Sequence, residues 1–387
     1  MKIGFEAISI FGASGIEMYS RSLIEALAKS ELDIELKLFT SSGRLQKVNK
    51  YFGDYGKIIP RRIYQHPLIL GKTGAPFVKY IKNNYLMKKA AAEVDLYHNV
   101  NPCYYNKRIK NTAVTVHDIF VFSDEEWALE AFDKEQLEYR ENFLAAFELA
   151  KVILTISKNV KDELLQKFPF IDENKVFVTY AGVSEIFQQK EADYEKLIKY
   201  NLFPGTKYFL FVSRFDPRKN YKSIVKAFSM LPDSVKKAYK LVFVGGEKAK
   251  RINELYNYVS SLGIEDNFIH LDNIPVEDLT EVYNAATALV FPTYAEGFGL
   301  PVIEAMKCGC PVLTSNTSCL PEIAGNAALL VNPRDITEIR DGMLALAEDK
   351  DLRHRLIAEG LERVKLFTWE KCAEDTYKAY EYGISKL

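Results

Sequence analysis

Two carboxylates eight positions apart, Glu296 and Glu304, bracket the apolar run GFGLPVI within the stretch YAEGFGLPVIEAMKCG. An apolar segment that reads as a buried strand, ALVFPT, precedes it. Pro301 fits the first position of a helix, where its missing N–H is no loss, and Gly309 fits the position just past the end. The spacing therefore predicts a short helix over 301–308. The start of such a helix carries about half a positive charge and free N–H groups, a natural seat for phosphate. Gly297 and Gly299 remove side chains and let backbone approach a ligand. Glu304, inside the helix, suits hydrogen bonds from the two hydroxyls of a ribose, and Glu296, before it, suits a second polyol. Two hydroxyl-rich groups separated by a diphosphate describe a nucleotide-sugar. A strand, a turn and a helix with two surface acids would show the same letters.

A second group, SRFDPRKN over 213–220, places Arg214, Arg218 and Lys219 after the apolar strand YFLFV. Arginine binds phosphate with two donors and lysine as a point charge, so these cations suit a leaving diphosphate. A basic turn capped by Asn220 is the plainer reading. A third, FGASGIE over 11–17, puts Gly12 and Gly15 at a turn onto a helix. It is not G-x-G-x-x-G, and no acid on the second strand stands out as a ribose clamp, which counts against NAD. In VTVHDIF, His117 sits at a strand end, where a histidine can polarise a hydroxyl or simply be structural. The five cysteines form no framework and the five histidines are scattered, so buried free thiols and a reduced, cytosolic compartment are expected. The one Asp-x-Asp, Asp349-Lys350-Asp351, lies in a charged helical tail, and no catalytic metal and no cofactor are expected.

The elements that must position these groups alternate between short apolar runs and amphipathic helices, the pattern of α/β folds with parallel strands. KIGFEAIS, DIELKLFT, VDLYHN, NTAVTVHD, VILTISK and KVFVTYAGV read as strands of a first half. YFLFVSRF, YKLVFVGG, NFIHLD, TALVFPT, PVLTSN and AALLVNP repeat the scheme, and the tail is helical. The halves meet in a polar stretch over 191–205. Two Rossmann-like domains follow, over 1–190 and 191–369, with ligands expected at the carboxyl ends of the strands, in a cleft between facing domains.

A chain of 387 residues exceeds one ordinary core, and its net charge of −1 argues against nucleic acid as partner. The N-terminus reads as a first strand and not a signal peptide, and no apolar run is long enough to span a membrane. Charge is uneven: residues 43–90 hold eleven Lys and Arg against one acid, Asp54, with tyrosines and phenylalanines interleaved. Such a segment suits an anionic membrane surface, and equally a solvated insertion balanced by the acidic stretch over 123–141.

Taken together, these residues resemble the retaining glycosyltransferases of family four, which have the GT-B architecture. EGFGLPVIE is similar to that family's E-x7-E motif, VSRFDPRKN to its Arg and Lys diphosphate clamp, and SGIEMY and VHD to its first-domain motifs. The resemblance implies that Arg214 and Lys219 hold the diphosphate, Glu304 the ribose and Glu296 the transferred sugar. It implies backbone contacts from Gly297, Phe298, Gly299 and Leu300, and from Gly15 of the first domain. His117 would face the reacting sugar or acceptor, and the base would rest near His270 to Asn273. The first domain, 1–190, would be the acceptor side and the second, 191–369, would bind the nucleotide-sugar, and the C-terminal helix, 370–387, would return to the first domain. Transfer would retain configuration, with the leaving phosphate helping to remove the acceptor's proton and no metal taking part. The implied substrates are a UDP- or GDP-hexose, mannosyl first, and a cell-surface glycan or lipid-linked acceptor, met at the inner membrane face. A binding or scaffold protein without transfer, or a nucleotide-sugar epimerase, are the alternatives.

Overall fold

The computed structural model describes residues 1–7, 10–11, 15–64, 91–131, 139–246 and 249–387. The chain divides into two compact units, Met1–Ser123 with Phe132–Gly182 and Trp369–Leu387, and Asp124–Ala131 with Val183–Thr368.

In the first unit, β1 (Lys2–Glu6), β2 (Glu35–Ser41), β3 (Ile58–Tyr64), β4 (Leu96–Asn99), β5 (Thr112–Val116), β6 (Val152–Thr155) and β7 (Val176–Val178) form one parallel sheet in the order β3-β2-β1-β4-β5-β6-β7. Strands buried on both faces need continuous apolar runs, and β5 and β6 are buried at every position. The helix Gly15–Lys29 covers the sheet with Tyr19, Leu23, Ile24 and Leu27, the residues its helical spacing places on one side. The C-terminal helix Trp369–Ile384 belongs to this unit and buries Cys372, Ala373, Thr376 and Tyr380. Strand β3 gave no sequence signal: its letters IIPRRIY carry a proline and two arginines, which fit the sheet edge it occupies. It lies within the basic segment over 43–90, of which residues 65–90 fall outside the described residues, so the membrane-surface expectation is untouched there.

The second unit holds β8 (Lys207–Val212), β9 (Tyr239–Val244), β10 (Phe268–Leu271), β11 (Ala288–Phe291), β12 (Val312–Ser315) and β13 (Leu329–Val331), again parallel, in the order β10-β9-β8-β11-β12-β13. The chain builds outward from β8 in one direction, then returns to β11 and builds in the other. The order therefore reverses between β8 and β11, where loops at the carboxyl ends diverge and leave a crevice. The stretch entering this unit is pinned to the helix Val276–Ala285: Lys190 and Lys196 reach the buried Glu281 at 2.5 and 3.5 Å, and Lys199 reaches Asp278 at 2.7 Å. Among the described residues no helix is long and apolar enough to cross a membrane.

Candidate active site

The reversal point of the second sheet carries a buried charge cluster. After β8 the chain makes a tight turn, Pro217–Lys219, which Asp216 caps by accepting from the Arg218 N–H. Asn220 takes a left-handed conformation, φ 55°, and its buried amide donates to the Pro292 and Pro333 carbonyls, tying the turn to the loops after β11 and β13. From that turn the Lys219 ammonium donates to Glu296 Oε1 at 2.6 Å, and Arg218 reaches Glu296 Oε2 at 3.3 Å and the Ala295 carbonyl at 2.8 Å. Burial opposes the Glu296 charge, but the Lys219 and Arg218 cations outweigh it and hold the carboxyl below its ordinary range. Burial, then the neighbouring Arg218 charge, lowers Lys219. Arg214, two residues before the Asp216 cap, is exposed.

Ser318, at φ 57°, fixes the backbone of Glu296 from both sides: its hydroxyl donates to the Glu296 carbonyl at 2.7 Å and accepts from the Glu296 N–H at 3.2 Å. The helix that follows runs Leu300–Lys307, one residue earlier than the spacing predicts, because Gly299 takes the left-handed cap position at φ 93°. A Cβ at Gly299 would also meet the tip of the Leu320 side chain, Cδ2, at 2.8 Å, so the left-handed backbone favours glycine there and any larger residue would have to displace that tip. Gly309 ends the helix at φ 67°, where expected.

Glu304 lies on that helix, buried, and accepts from the Tyr283 hydroxyl at 2.9 Å. Burial pushes its carboxyl up to about 7, against which the Tyr283 hydroxyl pulls. Burial and then the Glu304 charge raise the Tyr283 phenol well above its ordinary value, so it remains a donor. The two glutamates of one motif thus occupy opposite environments, one set by cations and one by a neutral phenol.

On the other side of β8 the loops are packed through glycine. A Cβ at Gly245, φ 143°, would fall 2.0 Å from the Ser213 carbonyl oxygen, next to Arg214. His270 donates through Nε2 to the Gly245 carbonyl at 2.7 Å. A Cβ at Gly246 would meet Asp272 Oδ1 at 2.4 Å, and Asn273 adopts φ 50°. Arg214 thus follows β8 and Asn273 follows β10, with the Gly245-Gly246 turn of β9 packed against both loops.

In the first unit, His117 follows β5 and donates through Nε2 to the Val100 carbonyl at 3.0 Å, while the Tyr19 ring meets its face edge-on at 4.9 Å. Burial lowers its pKa to about 4, so the ring is neutral at pH 7. Beneath it His98 is fully buried between the Tyr380 hydroxyl and Thr115 Oγ1, and burial takes it to about 3. Gly15 begins its helix with open space where a side chain would stand, and residues 12–14 of that motif lie outside the described residues.

Ser318, Tyr283 and the Gly245-Gly246 pair were not singled out from sequence, where a double glycine directly after a strand was the one available signal; Arg218 was read there as a cation for the diphosphate, and the structure sets it on Glu296 and the Ala295 carbonyl. Four cysteines are buried and Cys103 partly so, all free thiols. Among the described residues no group of three or more His, Cys, Asp or Glu is placed to hold a metal ion.

Two Rossmann-like parallel sheets, one in each unit, define the fold class, the GT-B architecture of its structural neighbours. The chain belongs to the group 1 glycosyltransferases: residues 193–363 match the family described as Glycosyl transferases group 1, and residues 13–185 match Glycosyltransferase Family 4. It is 29% identical to Escherichia coli O-antigen chain mannosyltransferase B, over 98% of this chain and 100% of that protein. It is 31% identical to Salmonella typhimurium O-antigen chain mannosyltransferase RfbU, over 59% of this chain and 58% of that one. In three dimensions it is similar to sucrose-phosphate synthase from Thermosynechococcus elongatus, with a TM-score of 0.76 at 22% identity and full coverage of both chains. Anabaena HepE in complex with UDP-glucose has a TM-score of 0.74 at 18% identity, again covering both chains fully. The family resemblance and the fold class read from sequence are both borne out.

Proposed function

We propose that the chain transfers a hexosyl group, mannosyl first among them, from a nucleotide-diphosphate sugar to a lipopolysaccharide-type or lipid-linked glycan, with retained configuration and without a metal. The observation that carries this is the Lys219–Glu296–Arg218 cluster across the β8/β11 reversal, at 2.6 and 3.3 Å, beside a helix start capped by the left-handed Gly299. The full-length likeness to a protein named as an O-antigen mannosyltransferase supports the sugar and the glycan.

In this reading Arg214 and Lys219 take the diphosphate, and Glu296, held as an anion, takes a hydroxyl of the sugar. Lys219 then balances two anions, which sets the sugar and the leaving group in fixed relation. The N–H groups around Gly297, Phe298, Gly299 and Leu300 face the phosphates, Glu304 accepts from the ribose, and the base lies by Asn273. Gly15 is assigned to the phosphates, and His117, neutral at pH 7 through burial, to a hydroxyl that an uncharged imidazole can polarise. The C1–O bond to the diphosphate breaks as the acceptor oxygen bonds to C1 on the same face, and the acceptor's proton passes to the departing phosphate oxygen. Cations stabilising that phosphate supply the charge compensation a metal would otherwise give.

Incubation with GDP-mannose and UDP-glucose in the presence of EDTA tests this, reading nucleoside diphosphate release and the anomeric proton of the product. Release that persists in EDTA with unchanged anomeric configuration is expected. Inverted product, or loss of turnover on chelation, defeats the respective part. The proposed anionic membrane contact through residues 43–90, and a place at the inner membrane face, are tested by flotation with anionic vesicles at low and high salt.

A further inference from the structure

A second cavity lies within the same unit, outside the charge cluster. It encloses about 480 Å³, within the size range of small-ligand sites, and its walls come from five separate pieces of chain. One is the helix Glu126–Ala131, the short piece of early sequence that groups with the second unit, and the others are the turn after β8, the helix Ala249–Ser261 and the loops bearing Tyr294 and Arg334.

We infer that this cavity binds a neutral oligosaccharide, the part of a glycan acceptor that trails behind its reacting end. The inference rests on the transferase reading for the identity of the glycan, but the cavity argues its own chemistry. Its wall carries the cations Lys222, Arg251 and Arg334 against the acids Glu126, Glu130 and Glu254, with Glu125 paired to Arg334 beside it, so no excess of positive charge draws a phosphate or a carboxylate. What such a wall offers is a dense set of acceptors and forked donors, which match the hydroxyls of a sugar. It also offers an aromatic face: Tyr294 lines the cavity with the Arg334 guanidinium 5.3 Å from its ring centre. Arg334 is in turn bonded to Glu125 at 2.5 Å, so the donor fork is oriented before any ligand arrives.

The cavity is also joined to the proposed donor site. Tyr294 stands two residues before Glu296, Pro217 two before Lys219, and the Tyr294 N–H donates to the Arg218 carbonyl at 2.9 Å. A glycan seated against Tyr294 would register directly on the loop that fixes Glu296. That coupling gives a means of choosing acceptors by the residues already in the chain.

The test is a titration of α-linked mannotriose into the full chain, followed by calorimetry and ligand-observed NMR, for the wild type, Glu130→Ala, Glu254→Ala and a cavity-filling Ser223→Trp. The wild type should bind saturably, each variant about tenfold more weakly, with hydrolysis of the donor in the absence of glycan unchanged. No saturable binding by the wild type, or equal binding by all three variants, overturns the site. Donor turnover without trisaccharide binding defeats the site and spares the transferase reading. Binding without turnover of any donor does the reverse.

Discussion

The strand ends of the two sheets keep their polar groups in opposite ways. In the second unit an ionised carboxylate is held in the interior by two cations, Lys219 and Arg218, at 2.6 and 3.3 Å. In the first unit two histidines are kept uncharged: burial holds His117 near 4 and His98 near 3, among tyrosines and threonines. A paired charge suits a ligand that brings anions of its own. A neutral, desolvated histidine suits a ligand that brings only hydroxyls. Glu304 shows that the contrast is set by neighbours and not by residue type, since within the charged unit a phenol in place of a cation leaves it near 7.

The largest test of this contrast removes its charge. Lys219→Ala should lower kcat by about 10² to 10³-fold, the usual cost of losing one group that stabilises developing charge, and should also lower Tm, because Glu296 is left buried against Arg218 alone. Arg214→Ala, at an exposed position, should lower kcat while leaving stability within about 0.5 kcal/mol. Equal losses of Tm in the two variants would contradict the difference in their settings. Next, Gly299→Ala should cost about 2 to 3 kcal/mol in denaturant unfolding, since it meets both a left-handed backbone and Leu320. A neutral result there would mean that the helix start can relax.

The third test is pH. His98 and His117 have folded values below their ordinary 6.5, so their contribution to stability is complete above 6.5 and is lost as pH falls through about 4 and 3. Glu304 has a folded value near 7, above its ordinary 4.5, so its contribution is complete below 4.5 and is lost as pH rises through 7. Hydrogen exchange resolved by segment should therefore show β4 and β5 loosening towards acid, and the Leu300–Lys307 helix loosening towards neutrality. His98→Gln should lessen the acid loosening of the first unit, leaving the part due to His117, and Glu304→Gln should flatten the second profile, each leaving the other unit unchanged. Parallel profiles in the two units would refute the contrast. The smallest effect belongs to Tyr283→Phe, which keeps shape but removes the donor to Glu304, at a cost of about 1 to 2 kcal/mol. It should move the pH dependence of Glu304 upward, visible as a shift in donor affinity against pH.

Much of the fold was legible because buried parallel strands announce themselves as apolar runs, as TAVTV and VILT do. β3 was not, because an edge strand tolerates Pro60 and two arginines that argue against a strand elsewhere. Glu296, Glu304, Arg214 and Lys219 were legible as chemistry placed after apolar runs. What sequence could not give was which loops are neighbours. The Lys219–Glu296 pair, the Ser318 bracket and the Tyr283 hydrogen bond join residues far apart in the chain, and only the strand order brings them together. The spacing also placed the boundary between domains at 190/191, where the compact units change at Gly182/Val183 and Asp124–Ala131 groups with the later unit. No periodicity marks a segment whose partners lie elsewhere.

The chain leaves the first unit at Gly182 and supplies that unit's last helix only from Trp369 onward. Tyr380, the partner of His98, and Trp369, which meets the Tyr19 ring at 5.6 Å, both arrive on that helix. During synthesis the first unit must therefore wait, with one apolar face uncovered, while everything from Val183 to Thr368 is made. The unit that begins first is the one completed last, and a release of the chain before Trp369 would strand it unfinished beside a second unit already whole.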